Sequence, residues 1–440
     1  MPVRRVAHIR HPSPCLSPPH PRRRPDARRL QAAAWCLLAA VVALASSAFA
    51  ADREITVLMR TPTLERAGLM ERLAAEFEAI HPGTKVNVIT GHEEEAIAMA
   101  AGGVPPNFWH QGLDTFEDWV ARGGLEPIDY LYEADNFRLE DHFVGPAVAA
   151  VRSGGRTYAF PANINVDVLY YNTEMFARAG LAPPPSTWDD PAWTWDAFRE
   201  AARKLSRDND GDGDIDVYAM GFRNMLAIAF GRIFGGEWIV DNQFNGYAPE
   251  VRRAIEWIDE VINVDRSIPQ PAVAGQYRFE RGQTAMRWFH SGGFATFGDV
   301  DFEWDIAALP AGTIPWRFSH VNTFKFVAGA ESHDVAYQFA KFIQTDPVRA
   351  AEFADAYGGF PSHRESLVQY LNERLTERRR DVLLGAIERL VPWGYGQRNN
   401  EAVYDVINRA VNDILNQQTH IEAGLESMRA EVNALLAAAP

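Results

Sequence analysis

Cysteine is nearly absent from this chain of 440 residues, and its scarcity excludes several kinds of chemistry. The two cysteines, Cys15 and Cys36, both lie within the first 50 residues. The rest of the chain therefore has no disulfide bond, no thiol nucleophile and no cysteine-ligated zinc site. The G-x-S-x-G elbow, the H-E-x-x-H zinc motif and the Walker A loop are also missing, which excludes three common classes of active site.

A convincing pair of catalytic carboxylates is missing too, so a secreted glycoside-active enzyme is only a remote alternative. Such an enzyme needs two carboxyl groups that face each other across a cleft. The acidic run Glu93–Glu95 comes nearest to such a pair, but adjacent residues on a helix do not face each other. We interpret this run as a solvated helix start and expect no enzymatic activity.

Long apolar runs are confined to the first 50 residues, which have the pattern of an export signal. A basic stretch from Arg22 to Arg29 precedes an apolar run from Ala32 to Ala45, and Ala48 and Ala50 occupy the small-residue positions that a signal peptidase requires. We expect residues 1–50 to be a signal peptide and the mature protein to be periplasmic. An uncleaved membrane anchor is disfavoured because the apolar run is rich in alanine and ends in a cleavage pattern.

Basic residues are scarce once this leader is set aside. The first 50 residues hold eight of the 43 basic residues and one of the 58 acidic residues, so the mature chain has a net charge of −22. The long-range field of such a surface repels nucleic acid and anionic lipid. A mature length of 390 residues suggests two or three domains, of which two lobes is the natural interpretation.

The hydrophobic pattern of the mature chain predicts an α/β fold. Strands are predicted at 54–59 and 85–90, with a helix between them whose apolar residues recur at helical spacing. Strands that alternate with helices favour a parallel sheet. A long β-like run at 157–172 is predicted to cross from one lobe to the other, and 319–347 is predicted to return. The remaining chain is predicted to be helical.

The acidic loop between residues 208 and 216 is the sharpest local motif. Its carboxylates and its central glycine match an EF-hand-type calcium loop, because a hard cation needs several oxygens at short range. The twelfth position departs from the pattern, since Ala219 stands where a bidentate glutamate belongs. A structural calcium and a solvated acidic turn without metal therefore both fit the pattern, and no other cofactor is expected. The candidate ligands are Asp208, Asp210, Asp212, Asp214 and Asp216.

Tryptophan, by contrast, is abundant, with 12 in the full chain. Many of these residues stand beside predicted turns rather than within regular helical faces. Indole rings stack on the C–H faces of sugar rings, so a partly aromatic sugar pocket is predicted. Core packing is an equally good interpretation of any single tryptophan. The candidates for the pocket are Trp109, Trp238, Trp288, Trp316 and Trp393.

Four stretches, at 194–222, 159–181, 279–312 and 321–346, together resemble the family 1 extracellular solute-binding proteins of ABC sugar importers. The similarity extends distantly to maltose-binding protein. The resemblance implies a type II-like periplasmic-binding-protein fold, with two α/β lobes, a ligand cleft between them and a helical C-terminal tail. It places the N-terminal lobe at 51–160 plus 322–362 and the C-terminal lobe at 161–318 plus 363–440.

The same resemblance implies a monomer that binds a carbohydrate and delivers it to the permease subunits of an inner-membrane ABC transporter. An alternative cargo is a phosphorylated polyol such as glycerol 3-phosphate, because arginine pairs bidentately with phosphate. Arg60, Arg223 and Arg287 are the candidate phosphate contacts. Beyond the tryptophans, the residues that the resemblance places at the ligand are Arg60, Asp114, Asn165, Arg223, Asn224 and His290.

Overall fold

The computed structural model describes residues 53–60, 68–113, 115–221, 231, 233–311, 321–390 and 400–438. The predicted signal peptide and its cleavage site lie outside these ranges. Within them, no helix combines the length and the apolar composition that crossing a membrane requires. Residues Asp52–Pro440 form one compact unit by their internal contacts.

Strands and helices alternate along the described chain. The strands are β1 Arg53–Met59, β2 Thr84–Thr90, β3 Phe108–Gln111, β4 Arg152–Ser153, β5 Arg156–Thr157, β6 Ala159–Ile164, β7 Asp167–Asn172, β8 Tyr218–Met220, β9 Ile239–Val240, β10 Gln243–Phe244, β11 Thr284–His290, β12 Trp304–Ala307, β13 Val321–Phe326 and β14 Phe360–Pro361. The helices are α1 Leu69–Ile80, α2 Glu93–Ala101, α3 Phe116–Ala121, α4 Asp129–Ala134, α5 Leu139–His142, α6 Gly145–Ala150, α7 Thr173–Arg178, α8 Trp195–Leu205, α9 Pro249–Asp259, α10 Gly293–Thr296, α11 His333–Gln344, α12 Pro347–Tyr357, α13 Arg364–Arg374, α14 Glu377–Arg389, α15 Asn400–Leu415 and α16 Ile421–Ala438.

The first sheet has six strands in the order β14-β6-β13-β3-β1-β2. Strand β1 pairs in parallel with β2 and β3, whereas β13 runs antiparallel to β3 and β6. Val57 and Leu58 are adjacent in β1 and both are completely buried. Because neighbouring side chains in a strand point to opposite faces, this sheet is covered on both faces, as parallel sheets generally are.

The second sheet has four strands in the order β12-β7-β11-β8. Strand β7 is buried along its whole length and pairs antiparallel with both β11 and β12. Helix α8 covers one face of this sheet, and its N-cap is Thr194, whose side chain accepts a hydrogen bond from the Ala197 amide. Its first residue, Trp195, packs against Trp288 of β11 with ring centroids 6.0 Å apart.

Two sheets joined in this way confirm the predicted α/β fold. The chain leaves the first sheet at Ile164 and enters the second at Asp167, inside the run predicted to cross between lobes. The predicted helical tail is confirmed as well, because helices α13 to α16 follow the last strand. Arg378 and Arg379, at the start of α14, bind Asp305 of β12 at 3.0 and 2.8 Å. The proposed lobe boundaries stay a prediction.

Candidate ligand cleft

Strands β6 and β11, one from each sheet, have their carboxyl ends at the crossing segment. In the first sheet β6 runs antiparallel to β13, and so in the same direction as β3, and it ends at Ile164. In the second sheet β11 ends at His290, which pairs with Asp167, the first residue of β7. Ligands of open α/β sheets bind outside the carboxyl ends of the strands. The crossing at 164–167 therefore marks the candidate cleft.

A cluster of buried amides holds this crossing in place. The Asn165 side-chain amide donates to the Gly358 carbonyl at 3.1 Å, and its oxygen accepts from the Ser291 hydroxyl at 2.9 Å. Ser291 directly follows β11 of the second sheet, whereas Gly358 directly precedes the turn into β14 of the first. Asn165 thus ties the two sheets together through one carboxamide group. Its predicted contact with ligand stays a prediction.

A second carboxamide extends this cluster into the first sheet. The Asn163 amide donates to the same Gly358 carbonyl at 2.5 Å. Its oxygen accepts from Asn322 at 3.2 Å and lies 3.3 Å from the His110 ring. Gly359 has a φ of 116°, and a Cβ there would lie 2.3 Å from the Ile164 carbonyl, so the close approach requires glycine.

The environment of His110 is both buried and cationic. Burial lowers the pKa of this imidazole well below its usual value, and the nearby charges of Arg60 and Lys325 lower it further. His110 is therefore neutral at physiological pH. Arg60 follows β1, as predicted, and donates to the Tyr357 carbonyl at 2.8 Å. Two cationic side chains, Arg60 and Lys325, thus lie near His110 in the first sheet.

Three of the predicted aromatic contacts lie in the core rather than at a cleft surface. Trp109, Trp238 and Trp288 are 0%, 0% and 2% exposed. Trp109 packs against Trp119, with ring centroids 4.8 Å apart, and beneath the Lys325 ammonium group. Each of these indoles supplies a large apolar surface that the sheets bury. As placed, none of the three presents an exposed face, and their predicted contact with a sugar stays a prediction.

The other predicted contacts divide into those at the crossing and those outside the described residues. His290 ends β11 beside Ser291, and its ring accepts a hydrogen bond from the Gly292 amide at 3.0 Å. Arg287 lies in the same strand and is half-buried, with its guanidinium 5.4 Å from the Phe289 ring centroid. The predicted contacts outside the described residues are Asp114, Arg223, Asn224, Trp316 and Trp393.

The structure adds residues that the sequence patterns did not single out. Asn163, Asn322, Ser291 and His110 join Asn165 in the cluster at the crossing. For the two asparagines the signal was their position within strand-like runs, where asparagine is disfavoured. A surface cavity of about 420 Å³ also opens at the N-terminal end of α8, on the side of the second sheet where β8 ends. Its lining includes Thr194, Asp196, Phe234 and Arg253.

The acidic loop brings three of its five predicted calcium ligands together. Asp208, Asp210 and Asp216 each offer a carboxylate oxygen, and these oxygens all lie within 4.8 Å of one another. Hydrogen bonds from the Gly213 and Gly211 amides lower the pKa of the Asp208 carboxyl group. The Asp214 carboxylate lies 3.4 Å from the Arg266 guanidinium, which also donates to the Gly213 carbonyl at 2.7 Å. Asp212 and Asp214 are not part of the three-oxygen cluster.

Comparison with known proteins identifies the family. The sequence profile described as bacterial extracellular solute-binding protein matches residues 61–350. A putative binding protein of Brucella abortus is 28% identical over 155 residues, which covers 34% of this chain and 36% of the Brucella protein. The chain therefore spans about a third of the length of that relative. The maltotriose-binding protein of Pyrococcus abyssi is 24% identical over 392 residues, covering 83% of this chain and 78% of the Pyrococcus protein.

The solved structures agree on the fold. An ABC substrate-binding protein of Listeria monocytogenes, in complex with cycloalternan, superposes with a TM-score of 0.73 at 21% identity. The match covers 88% of this chain and 99% of the Listeria chain. The resemblance inferred from the sequence motifs and the two-lobed fold that it implies are thereby confirmed. This chain belongs to the family of bacterial extracellular solute-binding proteins.

Proposed function

We propose that this protein is the substrate-binding component of an ABC importer and binds a neutral carbohydrate between its lobes. The observation that carries the proposal is that β6 and β11, one strand from each sheet, have their carboxyl ends at the Asn165–Ser291 crossing. The names of the matched proteins support the cargo, since they include a maltotriose-binding protein and a structure with cycloalternan. In this proposal, the ligand contacts both lobes and stabilises the closed conformation, which docks on the permease subunits.

The remaining parts of the proposal follow from the same role. The protein acts as a periplasmic monomer after removal of its signal peptide, it binds reversibly and it catalyses no reaction. Its strongly negative mature charge gives it no affinity for nucleic acid. The proposed ligand contacts are Arg60, Asp114, Asn165, Arg223, Asn224, His290, Trp316 and Trp393, together with the polar residues that line the cavity at the start of α8.

A phosphorylated polyol is the second candidate cargo, and the cationic side chains near His110 favour it. Arg60 and Lys325 both lie close enough to His110 to lower its pKa. A phosphate group beside these side chains would gain charge-assisted hydrogen bonds from the Arg60 guanidinium. The same binding fold would then serve an anionic cargo.

Thermal unfolding of residues 51–440 against neutral sugars, polyols and polyol phosphates tests both cargoes. A ligand that binds only the folded state and is present at 100 times its Kd stabilises the protein by about 2.7 kcal/mol, which raises the Tm by a few degrees. We expect a dose-dependent rise with one class of neutral oligosaccharide. A rise with glycerol 3-phosphate alone would select the second cargo, and hydrolysis of an added oligosaccharide would indicate an enzyme instead.

The acidic loop leads to a separate expectation. We propose that Asp208, Asp210 and Asp216 bind calcium as a structural ion, and that 1 mM calcium chloride raises the Tm relative to a chelator. Asp208→Asn is expected to abolish this rise, because it removes a charged ligand from the three-oxygen cluster. Asp214→Asn is the matched control: it removes the same charge from the same loop but outside the cluster. A rise that survives in Asp208→Asn, or no rise in the parent protein, would contradict a calcium site.

A further inference from the structure

A groove remains between two helices on the second face of the six-stranded sheet. The first face packs under α1 and α11, where Phe77 and Phe339 are in contact. On the second face Leu58, Ala96 and Trp109 form a small core of their own, separate from the main one. Helix α2 supplies Ala96, and α3 lays Trp119 on Trp109. Between α2 and α3 the surface encloses a groove of about 330 Å³.

The aromatic wall of this groove is the Trp119 indole, and its position is fixed. The Trp119 ring packs against Trp109 on one side. Gly124 packs against another side of the ring, since a Cβ at this glycine would lie 2.6 Å from Cε3 of the indole. The indole N–H donates to the Glu93 carboxylate at 2.6 Å. The wall is therefore a rigid, half-buried aromatic surface whose polar group is already satisfied.

The rest of the lining combines apolar surface with a polar rim. Ile97 is 52% exposed and, with Ala100, forms the wall contributed by α2. Around these lie a hydroxyl, two carboxylates and a guanidinium, from Thr115, Glu93, Asp118 and Arg122. An aromatic face edged by groups that bind hydroxyls matches a sugar ring, which is apolar on its C–H faces and polar at its rim. The volume of the groove, about 330 Å³, is that of a small-molecule site, for which ~300–1,000 Å³ is typical.

One end of the groove lies at the same edge of the sheet as the candidate cleft. Helix α2 begins three residues after the end of β2, and α3 begins five residues after the end of β3. Glu93 and Thr115 therefore lie at the carboxyl edge of these strands, where ligands of α/β sheets are held. A linear ligand held in the cleft could extend into the groove along this edge.

We propose that this groove binds a further ring of an oligosaccharide whose other end lies in the interlobe cleft, an inference that rests on the proposed function. The ring stacks on Trp119, and its hydroxyl groups bind the Glu93, Asp118 and Arg122 side chains. The protein then prefers longer oligosaccharides to disaccharides. The groove acts as a selector of chain length that is built into the N-terminal lobe.

The test measures the affinities of maltose and maltoheptaose by calorimetry, with Ile97→Trp as the variant. The added indole fills the groove from the α2 side, so we expect maltoheptaose to bind roughly tenfold more weakly, or about 1.4 kcal/mol. Maltose binding is expected to be unchanged. Ile80→Trp is the matched control, because Ile80 is 61% exposed at the end of α1 and is not part of the groove lining. Arg122→Ala, an exposed substitution on the rim, provides a second variant in case Ile97→Trp does not fold.

Each outcome bears on one of the two proposals. Equal affinities of the parent protein for maltose and maltoheptaose would overturn the groove site and leave the carbohydrate cargo intact. The groove site is also overturned if both variants leave maltoheptaose affinity unchanged, or weaken maltose to the same extent. If the parent protein binds neither sugar, the maltodextrin cargo fails and the groove inference fails with it. A loss confined to the longer sugar, absent in Ile80→Trp, supports the site.

Discussion

Trp109→Ala is expected to lower the free energy of unfolding by about 3–5 kcal/mol. The Trp109 ring is completely buried and belongs to a core cluster in which Leu58 and Ala96 are the other fully buried members. So small a cluster has few neighbours that could move into the cavity left by an indole. The substitution also removes the ring face that lies 4.1 Å from the Lys325 ammonium group, whose side chain is buried as well. Equilibrium unfolding in urea measures the difference.

Trp109→Phe is the matched control for this prediction. It keeps an aromatic ring over Leu58 and Ala96, so we expect a clearly smaller loss of stability than for alanine. The two variants also distinguish a role of Trp109 in packing from a role in ligand binding. The sequence analysis predicted the role in ligand binding. A phenylalanine variant with parental stability and much weaker binding of its sugar would show that Trp109 contacts the ligand and that the packing account is wrong.

Asp265→Asn is expected to lower the free energy of unfolding by about 3–5 kcal/mol, because it removes one partner of a buried ion pair. The Asp265 side chain is only 5% exposed and binds two arginines that project from α8. Its carboxylate accepts from Arg199 at 3.2 Å and from Arg203 at 3.0 Å, and a second bond from Arg199 completes the pairing. Asparagine removes the charge and directs an amide group at the guanidinium groups. Arg199, which is 16% exposed, then loses its buried partner.

Glu260→Gln provides the control for the buried pair. Glu260 binds the same Arg199 guanidinium, but its side chain is 53% exposed. Exposed ion pairs contribute about 0–1 kcal/mol, so this variant is expected to lie close to the parent protein. Equal losses in the two variants would show that burial does not determine the strength of these contacts.

The pH dependence of the Asp265 contribution follows from its pKa. Burial alone would raise this pKa, but the hydrogen bonds and charges of Arg199 and Arg203 outweigh burial and leave it below its usual value. A depressed pKa in the folded state gives stability that is fully present above the unfolded value of about 3.9 and is lost as the pH falls through the folded value. The stability difference between the parent protein and Asp265→Asn should thus be constant from pH 7 to pH 5 and shrink below pH 4. A difference that persists unchanged at pH 3 would contradict this account.

The sequence determined where the helices and strands lie, because the periodicity of apolar residues is a property of each short stretch of chain. Strands predicted at 54–59 and 85–90 occur at Arg53–Met59 and Thr84–Thr90, and the helix predicted between them occurs at Leu69–Ile80. Alternation with a period of two or 3.6 residues reports which face of an element is buried, and needs no knowledge of what covers it. The family motifs likewise lie in local stretches, so the fold class followed from the sequence.

The tertiary structure alone decided which of these side chains meet. The sequence does not distinguish a tryptophan that packs in a core from one that faces a sugar. Only the packing of the sheets shows that Trp109, Trp238 and Trp288 are buried. The Asn165–Ser291 bond joins residues 126 positions apart, and the Asp265–Arg199 pair spans 66 positions. No local pattern encodes such a pairing, because it depends on how the crossing segment and the strand order bring distant residues together. The sequence by itself determined the elements and the family, whereas the amide cluster at the crossing and the groove beside Trp119 exist only in the folded chain.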